Sequence, residues 1–203
     1  MPRPLLLTAG DPALGRSDRV GDAWAAIAPV DHPDLRLTRE RMRGLLAERP
    51  SPLDRAERPG HLTGSAFVVD ASGSRTLVLF HTKLQIWVQP GGHADGDANL
   101  AAVALREAHE ETGIDGLRVR PVALDLDIHR VDPPAEDAHD HYDVRFLVIA
   151  PHDAVIAANH ESQDQRWVTL EELRSRGVDE GLTRMAGRGF ALARTVLDAA
   201  GSG

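Results

Sequence analysis

Three acidic residues in the middle of the chain have a spacing that suits metal binding. Glu107, Glu110 and Glu111 stand three and four positions apart, so an α-helix would place them on one face. Like charges one turn apart repel one another, and in the C-terminal half of a helix they also oppose the helix dipole. Because a divalent cation such as Mg²⁺ prefers carboxylate oxygens, it would remove this conflict. The pattern therefore predicts a magnesium site, with a solvated acidic face as the more ordinary alternative for an isolated helix.

The segment that carries these acids has the features of an amphipathic helix. A helix is predicted from Asn99 to Thr112, and Gly113 follows as the residue that ends it. An apolar stripe lies about a quarter-turn away from the acids and is expected to pack on a sheet. The stripe consists of Ala101, Ala104, Leu105 and Ala108.

Residues on both sides of the acids extend the pattern into a long signature. Over residues 92–114 the chain follows G-x5-E-x7-R-E-U-x-E-E-x-G-U, where U is a bulky apolar residue, at all but two of its fixed positions. The chain therefore resembles the Nudix hydrolases, by motif and by order of elements, over roughly residues 61–200. The Pro90-Gly-Gly-His93 start resembles a poorly characterised subgroup of that family. The matching positions are Gly92, Arg106, Glu107, Glu110, Glu111, Gly113 and Ile114.

Two positions depart from the signature. Ala98 stands where the family has its first glutamate, and the small Ala108 stands where a larger apolar residue is usual. In the family that glutamate mainly braces the loop by pairing with the arginine, so its absence leaves the orientation of Arg106 open. Asp95 and Asp97 are candidate replacements, and Asp97 is also a candidate helix cap. Activity is expected to be retained because the three acids of the core remain.

The resemblance implies a chemistry and a set of roles. Glu107, Glu110 and Glu111, with a backbone carbonyl near Gly92, would bind Mg²⁺, for which Mn²⁺ would be a substitute. The metal would bridge diphosphate oxygens and lower the pKa of an attacking water. The general base differs between members of the family and is either a glutamate of the signature or an acid in a later loop. Glu161, which precedes Trp167 as acids do in many members, is our candidate for the later-loop base, although an exposed loop glutamate is nearly as good an explanation. Arg106 completes the predicted catalytic set.

Histidines are unusually frequent, ten in all, and several fall near the expected substrate position. His93 follows the Gly-Gly turn and His129 ends a predicted strand. His139 and His141 precede the next strand. We interpret these four histidines, together with Lys83, as substrate contacts. A His-x-His pair near carboxylates is also a candidate transition-metal site, but surface or substrate-contact histidines are more common.

The order of predicted elements indicates an α/β fold. Strands are predicted at 65–70, 76–81, 86–89, 118–129, 142–150 and 165–169, with a short helical turn at 170–174 and a final helix at 182–199. Helices are also predicted at 21–28 and 37–48, the second capped by Thr38. We predict a Nudix-type α/β/α sandwich with a mixed central sheet and a helical N-terminal extension. The domain boundary is placed after residue 60, so that 1–60 forms the extension and linker and 61–203 the Nudix hydrolase domain.

Composition narrows the classes of partner. The formal net charge is −8, which argues against a binder of nucleic acid polymers, and the absence of cysteine excludes disulfides and thiolate sites. No segment has the length of a signal peptide core or a membrane span, so the expected location is the cytoplasm. The expected partner is a small-molecule diphosphate. A homodimer is expected because Nudix proteins are commonly dimers.

Two other functions share this fold. A non-catalytic nucleotide-binding Nudix sensor is supported by Ala98, but such modules tend to lose the glutamates that this chain retains. An enzyme resembling the isopentenyl-diphosphate isomerases is disfavoured because their reaction relies on a cysteine, which this chain lacks.

Overall fold

A computed structural model describes residues 6–81, 85–133, 137–157 and 162–201 of the chain. The helices are α1 (Val20–Ile27), α2 (Arg36–Glu48), α3 (Leu100–Thr112), α4 (Leu170–Ser175) and α5 (Glu180–Gly201). The strands are β1 (Leu7–Thr8), β2 (Gly60–Val69), β3 (Thr76–His81), β4 (Ile86–Val88), β5 (Gly91–His93), β6 (Arg118–Val119), β7 (Asp125–Val131), β8 (His139–Ile149) and β9 (Ser162–Val168).

The nine strands found among the described residues form one mixed sheet at the centre of the molecule. Strands β2 and β8 lie side by side in parallel, with Gly60 opposite Asp140 and Val69 opposite Ile149. The antiparallel strands β6 and β7 pair with β8, and β3 and β5 pair with β2. The central pair is therefore hydrogen-bonded on both sides and fixes the register of the strands around it.

Successive side chains of β2 point to opposite faces of the sheet, and each face packs against helices. Leu62, Ala66 and Val68 share a hydrophobic core with α3 residues, whereas Phe67 and Val69 share a second core with α5 residues. This confirms the predicted sandwich of helices about a mixed sheet. All four residues of the predicted apolar stripe on α3 are buried.

The described residues before the predicted boundary, 6–60, contribute to the core that α3 packs against. Ile27 of α1 and Met42 of α2 are fully buried in the same cluster as Leu62. Strand β1 adds to the sheet by pairing with β6. The boundary at residue 60 stays a prediction, but the residues on either side of it share one core.

Several predicted bounds change in the structure. The strands predicted from Ser65 and Tyr142 begin earlier, at Gly60 and His139, because β2 and β8 pair along their full lengths. The strand predicted over 118–129 is interrupted at Pro121, whose ring lacks an N–H donor, and divides into β6 and β7. Helix α2 begins at Arg36 after a 3-10 turn, so the prediction that Thr38 caps it was wrong.

None of the helices in the described part of the chain combines the length and apolar character that a bilayer-spanning segment needs.

Candidate metal and catalytic site

Helix α3 presents the three predicted ligand acids. Asn99 caps its first turn, since the side-chain oxygen accepts a hydrogen bond from the backbone N–H of Ala102 at 3.4 Å. The helix ends at Gly113, whose φ of 65° is left-handed and suits glycine. These local signals give the helix the length and phase that the sequence predicts, so the acids lie on its last two turns.

Glycines in β5 and β2 allow both strands to approach α3 closely. A Cβ on Gly92 would lie 2.5 Å from the carboxyl carbon of Glu107. The backbone N–H of Gly91 donates to Glu111 Oε2 at 2.9 Å. In β2, a Cβ on Gly64 would lie 2.9 Å from the carbonyl oxygen of Leu100, so glycine there allows the helix to approach the strand. The backbone at 91–92 is therefore packed directly against two of the three carboxylates.

Arg106 organises the charges of this cluster. Its guanidinium donates to Glu107 Oε1 at 2.8 Å, and its Nε lies 3.8 Å from Glu110 Oε1. The Glu107 side chain is 18% exposed and that of Glu110 is 58% exposed. Burial raises the pKa of Glu107 in spite of the hydrogen bond from Arg106, and the charge of Glu110 adds to the increase. The cluster thus holds more negative charge than its single arginine balances.

The N-terminal segment occupies the loop where the signature glutamate is missing. The backbone N–H of Ala98 donates to the carbonyl oxygen of Ser17 at 2.6 Å, and Ser17 N–H donates to Asp97 Oδ1 at 3.1 Å. The Asn99 amide also donates to the carbonyl oxygens of Ala13 and Gly15, both at 3.0 Å. The loop is therefore braced by backbone contacts to residues 13–17.

These contacts show how Arg106 is oriented in the absence of the signature glutamate and what Asp97 does. Arg106 pairs with Glu107 and Glu110, so its orientation comes from the ligand acids themselves. Asp97 is not the helix cap, as Asn99 fills that position. The carboxylate of Asp97 instead accepts from the backbone N–H groups of Ser17 and Asn99.

A polar network covers the β2–β8 face on the side of α5. Asp143 Oδ1 accepts hydrogen bonds from Thr63 at 2.9 Å and Ser65 at 2.7 Å, while Oδ2 accepts from Arg145 Nε at 2.8 Å. Burial opposes ionisation of Asp143, but the charge of Arg145 outweighs it and lowers the pKa of the carboxyl. No local motif in the sequence marks Arg145 as the partner of these carboxylates.

Three of the four histidines predicted as substrate contacts surround another histidine, His61. The ring centroid of His61 lies 5.1 Å from that of His93, 5.0 Å from that of His139 and 5.2 Å from that of His141. His129 joins the group at 5.5 Å from His141. His61 was missed because no local motif marks it; the parallel register that sets it opposite His141 becomes visible only in the fold.

A carboxylate partner separates these histidines into two types. Burial, and then the neighbouring His93, lower the pKa of His61 to about 4 and that of His141 to about 3, so both rings are neutral at pH 7. Burial opposes protonation of His129 too, but the hydrogen bond to Asp127 at 3.0 Å outweighs it and raises the pKa of the ring.

The predicted substrate role fits some of these histidines better than others. The His129 side chain is 41% exposed. His139, by contrast, is 1% exposed and faces other imidazoles, a placement that disfavours direct substrate contact. The predicted base Glu161 and the predicted contact Lys83 lie outside the described residues.

A cavity of about 690 Å³ adjoins the other flank of α3. Its wall is shared between the N-terminal segment and the helix, and it reaches the arginine of the signature. The lining includes Gly10, Leu14, Arg16, Leu105, Arg106 and His109. The N-terminal segment therefore shapes the surroundings of Arg106.

Similarity to known proteins agrees with this geometry. The family model described as the NUDIX domain matches residues 61–185, more than half of the chain. The chain therefore belongs to the Nudix family. This confirms the family resemblance and the class of enzyme, a Nudix hydrolase. A search of curated proteins found no match.

Solved structures show the same fold at low sequence identity. A NUDIX-family hydrolase from Clostridium perfringens is 21% identical, with a TM-score of 0.53 over 65% of this chain and 97% of that one. The Ap4A hydrolase of C. elegans is 17% identical, with a TM-score of 0.50 over 66% of this chain and 98% of that one. The dihydroneopterin triphosphate pyrophosphohydrolase of E. coli is 17% identical, with a TM-score of 0.50 over 64% of this chain and 92% of that one.

Proposed function

We propose that this protein hydrolyses a diphosphate linkage in a small nucleoside-diphosphate-type molecule, by attack of water at phosphorus and with Mg²⁺ as its cofactor. Support comes from one observation above all. The glycine backbone at 91–92 is packed onto the carboxylates of Glu107 and Glu111. Carboxylate oxygens gathered on one helix face are the hard donors that Mg²⁺ and Mn²⁺ prefer.

The residues present fit such an ion. Glu107, Glu110, Glu111 and the Gly92 carbonyl would hold it, and a side chain at position 92 would displace the Glu107 carboxyl from its present position. The bound ion would offset the charge that develops at phosphorus and lower the pKa of the attacking water. Arg106 pairs with Glu107 and Glu110 and partly offsets their charge.

Other residues have proposed roles in binding and proton transfer. His129 is proposed as a contact to an anionic phosphate, since its raised pKa favours the protonated ring. His93 follows Gly92 directly and is proposed as a second contact. Glu161 is proposed as the general base and Lys83 as a phosphate contact, both on the sequence alone. The known Ap4A and dihydroneopterin triphosphate hydrolases of similar fold suggest that nucleotides and related triphosphates belong in a substrate screen.

A substrate screen with matched variants tests the proposal. The full-length protein is assayed with Mg²⁺ against nucleoside diphosphate sugars, dinucleoside polyphosphates, coenzymes and oxidised nucleotides. Glu110→Gln and Glu111→Gln should each lower kcat/KM by about 100-fold or more, because each removes a charged ligand while conserving size. Asp115→Asn is the control, since this neighbouring acid has a side chain that is 98% exposed.

The outcomes separate the alternatives. Turnover that persists in both glutamate variants, or after removal of divalent cations with EDTA, would refute the proposed site. A nucleotide-dependent rise in melting temperature with no turnover across the panel would favour the non-catalytic sensor.

A further inference from the structure

Three histidines at the start of β2 and β8 have the arrangement of a metal-ligand set. His61 lies directly opposite His141 in the parallel register, and His139 lies two residues before His141 on the same face of β8. One ring nitrogen from each of these histidines lies within 4.8 Å of one from each of the others. Tetrahedral zinc, with Zn–N bonds of about 2.0–2.1 Å, places its ligand nitrogens roughly 3.4 Å apart. Small side-chain rotations therefore bring the three nitrogens to ligating distance.

Hydrogen bonds made by the His61 and His139 rings show which nitrogen of each ring is available to bind a metal. His139 Nδ1 lies 2.7 Å from the carbonyl oxygen of Asp137, and His61 Nδ1 lies 3.5 Å from that of Glu57. A carbonyl oxygen only accepts, so each Nδ1 carries the proton and each Nε2 carries a lone pair. Metal-binding histidines characteristically donate their second ring N–H to a carbonyl or carboxylate in this way.

The Nε2 atoms of His61 and His139 are buried, so each needs a partner inside the protein. His61 is 0% and His139 is 1% exposed. Among the described residues, Nε2 of each is a buried polar atom without a hydrogen-bond partner. A buried polar atom without a partner lowers stability by about 1–3 kcal/mol. Ring packing alone gives neither Nε2 atom a hydrogen-bond partner, although the two ring centroids lie only 5.0 Å apart. A metal ion coordinated by both nitrogens explains them.

We propose that His61, His139 and His141 bind a divalent transition-metal ion of the zinc class, at a site separate from the carboxylate cluster of α3. Neutral imidazoles suit zinc and its neighbours in the first transition row, whereas carboxylates and backbone oxygens suit magnesium. The different donor sets therefore select different ions. Three protein ligands leave a fourth position of the tetrahedron for water.

The surroundings favour a cation. Asp143 lies two residues beyond His141 on the same face of β8, and its charge acts on the His141 ring. The chain as a whole carries a formal charge of −8. His93 contacts both His61 and His141 and follows Gly92, so a metal here would also stabilise the start of the signature loop.

Zinc titration of the full-length protein tests this proposal directly. Protein stripped with EDTA is titrated with Zn²⁺ by calorimetry while millimolar Mg²⁺ occupies weaker oxygen sites. We expect one tight zinc per chain and a rise in melting temperature on binding. His61→Gln and His139→Gln should each weaken zinc affinity by about 100-fold or more, whereas the exposed His32→Gln should bind as the wild type does.

A second set of variants distinguishes this site from the proposed catalytic one. Glu110→Gln and Glu111→Gln should keep the tight zinc while losing Mg²⁺-dependent turnover. Loss of the tight zinc in either glutamate variant, with retention in both histidine variants, would overturn the histidine site and leave the proposed hydrolase intact. Wild-type protein that binds zinc no more tightly than the two histidine variants would also overturn it.

Cobalt provides a test that does not depend on the folding of any variant. Wild-type protein loaded with one equivalent of Co²⁺ should show the intense visible absorption of a four- or five-coordinate ion with nitrogen ligands. The weak spectrum of an octahedral ion with oxygen ligands would contradict the proposal. Circular dichroism of each variant shows whether its fold is retained.

Discussion

At the scale of the residue, Arg145 shows how this protein accommodates charge in its interior. Its side chain is 2% exposed and lies 2.8 Å from Asp143, 3.1 Å from Asp127 and 3.5 Å from Asp125. Burial opposes ionisation of the guanidinium, but the carboxylates outweigh it and raise its pKa. Asp125 also pairs with Arg184 and Arg188 of α5, so the network ties that helix to the sheet.

Removal of this arginine should be severe. Arg145→Met leaves Asp143 and Asp127 without their central cation, and breaking a buried charge pair in this way lowers stability by about 3–5 kcal/mol. Urea denaturation at pH 7 measures the change in the free energy of unfolding. Arg19→Met is the control, because its partner Asp22 lies in an exposed pair and little effect is expected. Similar losses in the two variants would contradict this account.

The residue scale also shows what the sequence could reveal about the site. The spacing of Glu107, Glu110 and Glu111 is local, so it was sufficient to predict a shared face. The role of His61 depends on strands far apart in the chain, and no local pattern reports that contact. The replacement of the signature glutamate by contacts from Ser17 was hidden for the same reason.

At the scale of the element, two glycines of α5, Gly187 and Gly189, differ in how closely the sheet packs against them. A Cβ on Gly189 would lie 2.3 Å from the Phe67 ring of β2, whereas a Cβ on Gly187 would meet nothing within 4 Å. Phe67 itself packs edge-on against Phe190, at 5.2 Å between ring centroids. Close contact between helix and sheet therefore requires glycine at 189 but not at 187.

Alanine at these two positions should shift stability in opposite directions. Gly189→Ala should lower the free energy of unfolding by about 1–3 kcal/mol, because the core must open to admit a methyl group. Gly187→Ala should raise it by about 0.5–1 kcal/mol, since alanine loses less backbone entropy in a helix. Urea midpoints measure both. A shift of the same sign in the two variants would refute the packing argument.

Elements with strong local signals were predicted well, and those shaped by distant partners were not. Helix α3 agrees within a residue because Asn99 and Gly113 mark its ends. The first half of β2 was missed because Gly60 and Gly64 have poor strand propensity. Its pairing with β8 supplies the hydrogen bonds that override this preference.

At the scale of the whole molecule, residues 6–60 and the family domain share a core. Met42 is fully buried in the cluster that also contains Leu62 and Ala104. Met42→Ala should therefore lower the free energy of unfolding by about 2–5 kcal/mol. We expect the variant to unfold in urea in a single transition, as a two-state protein does. Circular dichroism and tryptophan fluorescence should give the same midpoint, which should be lower than that of the wild type.

An exposed leucine at the start of the same helix provides the control for Met42→Ala. Leu37 of α2 is 67% exposed, so Leu37→Ala should leave the midpoint nearly unchanged. Two separate transitions in the Met42→Ala protein would instead show that the first sixty residues unfold independently.

The parallel pairing of β2 with β8 has a consequence for synthesis on the ribosome. Strand β2 is made early, but its central neighbour is complete only when Ile149 has emerged from the exit tunnel. Until then the nascent chain displays an unsatisfied, largely apolar strand in its middle, and contacts between residues so distant along the chain form slowly. Newly made chains should therefore be vulnerable to aggregation during translation until β8 is complete.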